Sequence, residues 1–358
     1  MIAQQRLNDL RTQMQQHDLD AFIAMSADPH MSEYLPEYWQ VRLWLTGFTG
    51  SVGIVVVTQD FAGLWVDGRY WVQAEQQLEN TGFVLQKQTT EPTSTHLAWL
   101  AQNLPLHATI SVNGQTLSVQ QFEALNQIAQ QHQFTIQTHF DIINEIWTDR
   151  PALPQEVVWQ MANGLNAQTR LEKLSLIRST LNTKNASAHF ISALDDIAWI
   201  LNCRGQDVEY NPVFLAHLFI DTSRTVLFID DIKLSKELHQ LLAQDQITVL
   251  PYTQTEFFLS QLSQQHVLID PAKVSILHTQ SIQKNNQLVQ DINPSTLFKS
   301  RKHATEITHI RNAMTKDGVA LSHFFYWLET AFTQNQPINE LIIDEKITAF
   351  RAEQVGFI

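Results

Sequence analysis

IVVVTQDFAGLWVDGRYWVQAEQQL, residues 54–78, is the stretch that decides the fold. It begins with the β-branched run Ile54–Val57 and continues into the apolar segment Leu64–Val66, which ends at Asp67. Both runs have the length and composition of buried strands. The apolar spacing that follows, as far as Leu78, is typical of a helix. Strands followed at once by a helix predict an α/β sheet in this part of the chain.

A helix and a strand are predicted before this stretch, and the same order of elements occurs again in the second half. Upstream, Leu7, Leu10 and Met14 recur at helical spacing and lead to a strand around Phe22. The corresponding segments of the second half are 171–177, 190–191, 199–205, 213–220, 226–230 and a helix from about Lys233. We therefore predict two tandem α/β domains with mixed sheets flanked by helices. Two unrelated α/β units with a similar order of elements are the alternative to a duplication.

Proline positions predict the domain boundaries. Two prolines stand three residues apart in Arg150–Pro154, where they interrupt regular structure and suit a linker. A second boundary is predicted near Asn293–Pro294. The resulting domains cover residues 1–150, 151–296 and 297–358.

The last predicted domain contains two helices and too little else to form a core. Apolar residues follow a helical period from Ile307 to Leu328 despite Gly318 in the interior, and a second helix is predicted from Ile338 to Arg351. We expect these helices to be the opening of a domain that is incomplete in this sequence.

Composition excludes several classes of protein. With 44% apolar and 16% charged residues, the chain is an ordinary globular protein. Its formal charge of -13 disfavours nucleic acid and anionic membranes as partners. Cys203 is the only cysteine, so no intrachain disulfide can form, and the usage suggests a reducing compartment. The sequence contains no signal-peptide pattern and no apolar run long enough to span a membrane. We expect a cytoplasmic protein.

Common catalytic motifs are missing from the sequence. The glycine-rich segment 47–53 lacks the dinucleotide-binding spacing and leads into a strand, so a glycine turn is favoured over a phosphate site. Ser51 lies in this segment without the spacing of a nucleophile elbow. These features predict neither a nucleotide cofactor nor a serine hydrolase.

The best metal candidate is the trio His303, Glu306 and His309. On a helix these side chains spread over about 120°, so a solvated helix face is favoured over a shared ion. The pairs Asp195–Asp196 and Asp230–Asp231 are explained as caps or turn residues, because adjacent side chains point in different directions. We predict no metal ligand and no catalytic residue in this sequence.

Arg69 is the residue that departs from the usual rules. Asp67 is placed to cap the helix that follows, which puts Arg69 in the first turn, where a cation meets the positive end of the helix dipole. One interpretation is an ion pair or stacking on a neighbouring aromatic ring, Trp65, Tyr70 or Trp71. The other is a guanidinium directed at a carbonyl or carboxylate of a bound ligand.

Six segments, in this order, resemble the three-domain Xaa-Pro aminopeptidases (aminopeptidase P). They are Ser32–Tyr34, Thr46–Ser51, Trp65–Tyr70, Ile146–Pro151, Ala193–Trp199 and Asn211–Phe214. They lie between residues 32 and 214, and six matched segments make the resemblance much more specific than a single motif. Thr49 departs from the family's usual aspartate and leaves the role of its turn open.

The resemblance implies two creatinase-like N-terminal domains followed by a pita-bread domain that binds two metal ions, usually Mn²⁺. The family removes the first residue from peptides with proline in second position. Its metal ligands and substrate histidines belong to the pita-bread domain, beyond the helices that open it here. The arginine of the W-x-D-G-R motif contacts the bound peptide, and that substrate-binding role carries over to Arg69 alone.

From this resemblance we expect a homodimer that acts on Xaa-Pro peptides, with two Mn²⁺ or other divalent ions in the complete enzyme. We expect the 358-residue chain by itself to bind no metal and to be inactive. The alternative is a non-catalytic module that binds peptides or mediates dimerisation.

Overall fold

The structure is a computed structural model that describes residues 2–162 and 164–357. The chain divides into two compact units. The first contains the residues up to Gln160 together with Arg170–Lys299. The second contains Met161–Thr169 and the residues from Ser300 onward.

A six-stranded mixed sheet organises the first half of the first unit. Its strands are β1 Ala21–Ala24, β2 Ile54–Val57, β3 Ala62–Val66, β4 Val84–Lys87, β5 Thr109–Val112 and β6 Thr135–Gln137. They lie in the order β4-β3-β2-β1-β5-β6. The pairs β1–β2 and β2–β3 are antiparallel, and the other three pairs are parallel. Residues 54–78 therefore form two neighbouring strands of this sheet, β2 and β3, and lead from them into a helix.

The second half of the unit repeats this sheet. The strands that follow are β7 Trp159–Gln160, β8 Ala188–Ile191, β9 Cys203–Arg204, β10 His217–Asp221, β11 Thr225–Phe228, β12 Ile247–Leu250, β13 His266–Ile269 and β14 Gln287–Gln290. Six of them form a sheet in the order β12-β11-β10-β8-β13-β14, while β7 and β9 form a separate antiparallel pair. Strand directions match the first sheet pair by pair. The tandem α/β prediction is confirmed.

Helices flank both sheets of the first unit, and the second unit contains two more, α13 and α14. In chain order they are α1 Ile2–Gln16, α2 Val41–Thr46, α3 Trp71–Gln77, α4 His96–Asn103, α5 Val119–His132, α6 Ile143–Ile146, α7 Arg170–Thr183, α8 Leu194–Leu201, α9 Lys236–Gln244, α10 Thr255–Gln261, α11 Ile276–Gln283, α12 Pro294–Ser300, α13 Ala304–Thr333 and α14 Glu340–Ala352. Short 3₁₀ helices occur at Glu37–Trp39, Pro92–Ser94, Asp231–Lys233 and Tyr252–Gln254.

The predicted apolar periods mark the faces that the helices bury. Leu7, Leu10 and Met14 of α1 are fully buried in the first core. In α7, Leu174 and Ile177 are buried, whereas Leu171 is 50% exposed.

Two element bounds in the second half differ from the prediction. Strand β10 begins at His217, so residues 213–216 lie outside the strand that was expected to include them. The helix expected near Lys233 is preceded by a 3₁₀ turn, because the Asp230 side chain accepts from the backbone N–H of Ile232. Helix α9 then begins after Ser235, whose hydroxyl caps it.

The predicted boundary segment Arg150–Pro154 is held in place by contacts of Arg150. The Arg150 guanidinium lies 3.8 Å from the centroid of the Tyr38 ring and donates from Nη1 to Asp141 Oδ2 at 2.9 Å. Its side chain is 6% exposed. Residues 151–157 have no regular structure, as expected around the two prolines. The boundary itself stays a prediction.

In the second unit, α13 is continuous through Gly318 and pairs with α14. Arg351 Nε donates to Asp317 Oδ1 at 2.7 Å across this helix pair. Helix α14 begins two residues later than predicted, because Asn339 caps it by accepting from Ile342 N–H. Much of the predicted apolar face of α13 is exposed, for example Met314 and Phe325. Among the described residues, the structure contains no helix with the length and hydropathy of a membrane span.

Candidate functional site

Arg69 lies in the turn between β3 and α3. The backbone N–H of Tyr70 donates to the carbonyl oxygen of Asp67 at 3.0 Å, which closes the turn, and α3 begins at Trp71. The Asp67 carboxylate accepts from the backbone N–H of Arg69 at 3.0 Å, from its Nε at 3.0 Å and from its Nη2 at 2.8 Å. The predicted cap is therefore wrong: Asp67 binds Arg69 instead of the helix, and Arg69 precedes the first helical turn.

Electrostatics and stacking hold the Arg69 guanidinium in this position. The ion pair raises the pKa of Arg69 and lowers that of Asp67, mainly through the hydrogen bonds between the two side chains. The guanidinium carbon also lies 5.2 Å from the centroid of the Tyr70 ring. These are the local contacts that one interpretation predicted. The Arg69 side chain nevertheless stays 68% exposed, and its Nη1 makes no hydrogen bond within residues 2–162 and 164–357.

A cavity of about 280 Å³ opens beside this turn. Its lining combines Glu33 and Tyr34 with Thr49–Ser51 and, from the second half, Val208–Tyr210. Segments far apart in sequence thus meet at one place. Glu33 also acts on Arg69, since its negative charge contributes to raising the pKa of that residue. We call this space the motif cavity.

The Ser51 hydroxyl connects the cavity to the Arg69 turn. Ser51 Oγ and the Tyr70 hydroxyl lie 2.7 Å apart, and Tyr70 carries the stacked guanidinium of Arg69. Arg69 does not line the motif cavity itself and is linked to it through Tyr70 and Ser51.

Arg42 supports the wall of the motif cavity, and it was not identified from the sequence as a residue of this site. It donates from Nε to Ser26 Oγ at 2.8 Å, from Nη1 to the Phe48 carbonyl at 2.9 Å, and from Nη2 to the Gly50 carbonyl. Burial lowers its pKa to about 10, so it stays protonated near neutral pH. An arginine inside the apolar period of α2 was the signal that could have identified it.

The glycine segment forms a turn, as predicted, but the turn follows a helix. Gly47 ends α2 in the left-handed conformation with φ 76°, where glycine is favoured. A Cβ at Gly50 would lie 2.3 Å from Phe48 Cζ, so the tight approach requires glycine. Thr49 accepts hydrogen bonds from Gln73 Nε2 and Gln77 Nε2, each at 2.8 Å. The turn is thereby tied to α3.

A buried histidine cluster between the two sheets was also missed. His30 from the first half donates from Nδ1 to the Ser192 carbonyl at 2.8 Å, and its Nε2 accepts from the Tyr252 hydroxyl at 2.9 Å. His217 stacks on His30, with ring centroids 4.5 Å apart, and His278 meets His217 edge-on at 4.5 Å. These residues lie far apart in sequence, so no local spacing could reveal the cluster.

The cluster is kept neutral by its surroundings. Burial lowers the pKa of His30, places that of His217 well below its ordinary value, and reduces that of His278 to about 3. A second cavity of about 320 Å³ is lined by His217, His278 and Tyr252. Neutral imidazoles here join the two halves of the first unit.

The acidic pairs have structural partners. Asp196 Oδ1 accepts from Lys299 Nζ at 2.9 Å, and Asp195 binds the same ammonium group. This pair was wrongly assigned to caps or turns, since the lysine arrives from a helix about 100 residues away. The Asp230 side chain does cap a 3₁₀ turn, as predicted.

The histidine and glutamate trio of α13 has local contacts. Glu306 Oε2 accepts from the backbone N–H of His303 at 2.8 Å, and His309 Nε2 donates to the Gly164 carbonyl at 2.9 Å. Within residues 2–162 and 164–357, no group of three or more His, Cys, Asp or Glu side chains could hold a metal ion.

Protein-family models match both halves of the chain. A Creatinase/Prolidase N-terminal domain model matches residues 6–145, and a second model of the same description matches residues 149–306. These two ranges contain the two equivalent sheets.

Similar proteins extend the match beyond these domains. Xaa-Pro aminopeptidase ApepP of Drosophila melanogaster is 32% identical over 97% of this chain, and Xaa-Pro aminopeptidase 1 of Dictyostelium discoideum is 31% identical over 99%. The chain spans 58% of the length of each of these two relatives.

A solved structure matches the whole chain. The X-prolyl aminopeptidase from Caenorhabditis elegans, described as a cytosolic enzyme with a di-nuclear active site, has a TM-score of 0.94 and 26% identity. The match covers 100% of this chain and 61% of the nematode chain.

Proposed function

Because this chain belongs to the aminopeptidase P family, we propose that its 358 residues form the N-terminal, peptide-positioning part of a metal-dependent Xaa-Pro aminopeptidase. In this proposal the complete enzyme removes the first residue from peptides that have proline in second position. Proline has no backbone N–H and a fixed φ, so sites that recognise ordinary peptides accept it poorly.

The observation that carries the proposal is that Arg69 is linked, through Tyr70 and Ser51, to a cavity lined by two other family-like segments. The Arg69 side chain itself is exposed to solvent. Its planar fork suits a peptide carbonyl or carboxylate. Asp67 and Tyr70 hold that fork in place before a ligand arrives, which lowers the entropic cost of binding.

The two divalent metal ions implied by the family, Mn²⁺ in our expectation, do not fit the described part of this chain. Those residues offer no grouping of three His, Cys, Asp or Glu side chains. We therefore derive no chemical step through a metal here, and we propose that the 358 residues assayed alone do not cleave peptides.

The proposal also covers the domain boundaries, the oligomeric state, the partners and the cellular location. Its domains are residues 1–150, 151–296 and 297–358, the last being the opening of a pita-bread domain. We propose a homodimer in the cytoplasm that uses neither nucleic acid nor a membrane as partner. The single buried cysteine supports a reducing compartment, and the nematode neighbour is described as cytosolic.

Peptide binding and turnover, measured on the same purified chain, test this proposal. We expect Ala-Pro-Gly-Arg-Gly to bind without being cleaved in the presence of Mn²⁺. Arg69→Ala should weaken this binding about tenfold, because hydrogen bonds to a charged donor contribute about 1.5 kcal/mol. Arg69→Lys should retain the charge but only part of the affinity, since it loses the fork.

Three outcomes would contradict the proposal. Release of alanine by intact 358-residue material would show that catalytic groups lie among residues assigned here to structure. Unchanged affinity in Arg69→Ala would remove Arg69 from the binding site. No detectable binding of any Xaa-Pro peptide would favour a module that serves only in dimerisation.

A further inference from the structure

The second cavity, which we call the histidine cavity, is lined by residues from both halves of the first unit. Its volume is about 320 Å³, which is enough for a small organic molecule. Tyr38 and Trp39 of its lining come from the first half, whereas His217, Tyr252 and His278 come from the second. The arginine proposed to bind peptide does not line it, so this space is separate from the proposed peptide site.

Each of the two histidines in the lining has one ring nitrogen left for a ligand. His217 is 1% exposed and His278 3%. Their Nε2 atoms make no hydrogen bond within residues 2–162 and 164–357. Both atoms nevertheless retain accessible surface, in contrast to Trp39 Nε1 and His189 Nε2, which are fully enclosed. Because both histidine side chains line the cavity, their Nε2 atoms are open to it.

Hydrogen bonds to two serines place the proton on these nitrogens. His217 Nδ1 lies 3.1 Å from Ser192 Oγ, and His278 Nδ1 lies 2.9 Å from Ser275 Oγ. Both hydroxyls are fully buried and have no other acceptor in the described part of the chain. Since buried hydroxyls are normally paired, each donates to Nδ1, and Nε2 then carries the N–H of the neutral ring. The cavity therefore contains two N–H donors without an acceptor.

The charge of the lining favours an uncharged acceptor. Glu256 is the only charged residue among the described lining residues, and it accepts from Gln115 Nε2 at 3.4 Å. Burial lowers the pKa of His217 and His278 and keeps both rings neutral. A ligand carboxylate would find no cation in this lining, and an ammonium group would meet N–H donors. A neutral carbonyl oxygen suits the two donors better than either.

Aromatic rings form much of the remaining wall. The rings of His217 and Tyr252 stack, with centroids 5.1 Å apart and an angle of 16° between their planes. The wall also includes apolar and aromatic side chains, namely Pro29, Tyr38, Trp39 and Leu153. Aromatic side chains pack favourably on other planar rings, in stacked or edge-on contact.

We propose that the histidine cavity binds a small molecule that combines a planar ring with an uncharged carbonyl group, such as an aromatic amide. His217 and His278 donate from Nε2 to the carbonyl oxygen, and the ring of the ligand packs on Tyr252 and the other aromatic side chains. Because the lining comes from both halves, the ligand joins them and stabilises the folded unit. This activity goes beyond the proposed function, since it requires neither a peptide nor Arg69.

Three probes with the same ring test the group that the cavity selects. Benzamide, benzoate and benzylamine would each be titrated by calorimetry into the 358-residue chain at pH 7. We expect benzamide to bind and to raise the temperature of thermal unfolding. Benzoate and benzylamine should bind about tenfold more weakly, because neither offers an uncharged acceptor to the two donors.

Protein variants assign the binding to this cavity. The shorter amide of His278→Asn can replace Nδ1 beside Ser275 but leaves nothing at Nε2, so benzamide affinity should fall about three- to tenfold. His278→Gln places its amide N–H near the position of Nε2 and should stay within about twofold of the original affinity. His189→Asn is the matched control, because His189 is also fully buried with one bonded ring nitrogen but does not line the cavity. Its affinity for benzamide should be unchanged, and thermal unfolding without ligand checks that each variant folds.

The outcomes decide the proposal. A preference for benzamide that is lost in His278→Asn and retained in His278→Gln supports the site. Equal binding of all three probes, or no binding of benzamide, shows that the proposal is wrong. If His189→Asn weakens binding as much as His278→Asn, the assignment to this cavity is wrong. The comparison of probes uses the unaltered chain, so it is decisive even where a variant does not fold, and it leaves the aminopeptidase proposal to its own test.

Discussion

At the scale of single residues, two arginines close together in the fold have opposite roles. Arg42 is 8% exposed and donates to three oxygens, whereas the Arg69 side chain is 68% exposed. Arg42→Ala should lower the free energy of unfolding by about 2 to 4 kcal/mol, because it leaves the Phe48 and Gly50 carbonyls without their charged donor. Urea unfolding followed by tryptophan fluorescence measures this loss.

Arg69→Ala is the control for that measurement. An exposed side chain with one surface ion pair should change the free energy of unfolding by no more than about 0.5 kcal/mol. Equal destabilisation by both substitutions would contradict the assignment of Arg42 to support and Arg69 to binding.

At the scale of elements, the two sheets meet through neutral histidines, which makes their association sensitive to acid. The pKa of His30, His217 and His278 is below the value of about 6.5 for an unfolded chain. The unfolded state therefore binds more protons, so stability is fully present above pH 6.5 and falls as the pH drops. His278, whose pKa is about 3, should by itself cost about 1.4 kcal/mol per pH unit below 6.5, and His30 and His217 add to the loss in the same direction. Thermal unfolding between pH 7 and 5 measures this slope.

A variant in the cluster tests the origin of that slope. Tyr252, Asp28, Asp207 and Lys233 also act on His30, so the variant leaves those groups in place. His30→Gln should lower stability at pH 7 and reduce the loss on acidification, because one titrating group is removed. His139→Gln changes an exposed histidine and should keep the full slope. An unchanged slope in His30→Gln would exclude the cluster as its source.

At the scale of the whole molecule, the second unit exposes an apolar surface along α13. Met314 is 62% exposed, Phe325 56% and Phe332 64%, and they follow one side of the helix at steps of eleven and seven residues. Contiguous apolar surface of this kind marks a region of interaction. The chain should therefore bind the dye ANS, and Met314→Gln combined with Phe325→Gln should reduce its fluorescence severalfold.

A single exposed apolar residue provides the comparison for this surface. Val72 of α3 is 70% exposed but lies in the first unit, and Val72→Gln should leave the dye signal unchanged. A signal that survives the double substitution in α13 would place the apolar surface elsewhere.

Local patterns alone predicted the elements from α1 to α3 and their counterparts in the second half, the tandem repeat and the position of Arg69 after β3. These depend on apolar period, β-branched runs and glycine, which act over a few residues. The sequence also led to the wrong prediction that Asp67 caps α3. Local spacing could not show that the Asp67 carboxylate binds the Arg69 side chain instead. Only the tertiary structure decided that Glu33 and Glu209 share a cavity and that His30 and His217 stack. These residues lie more than 150 positions apart, so they come together only when the two sheets pack. That packing leaves no periodic pattern in the sequence.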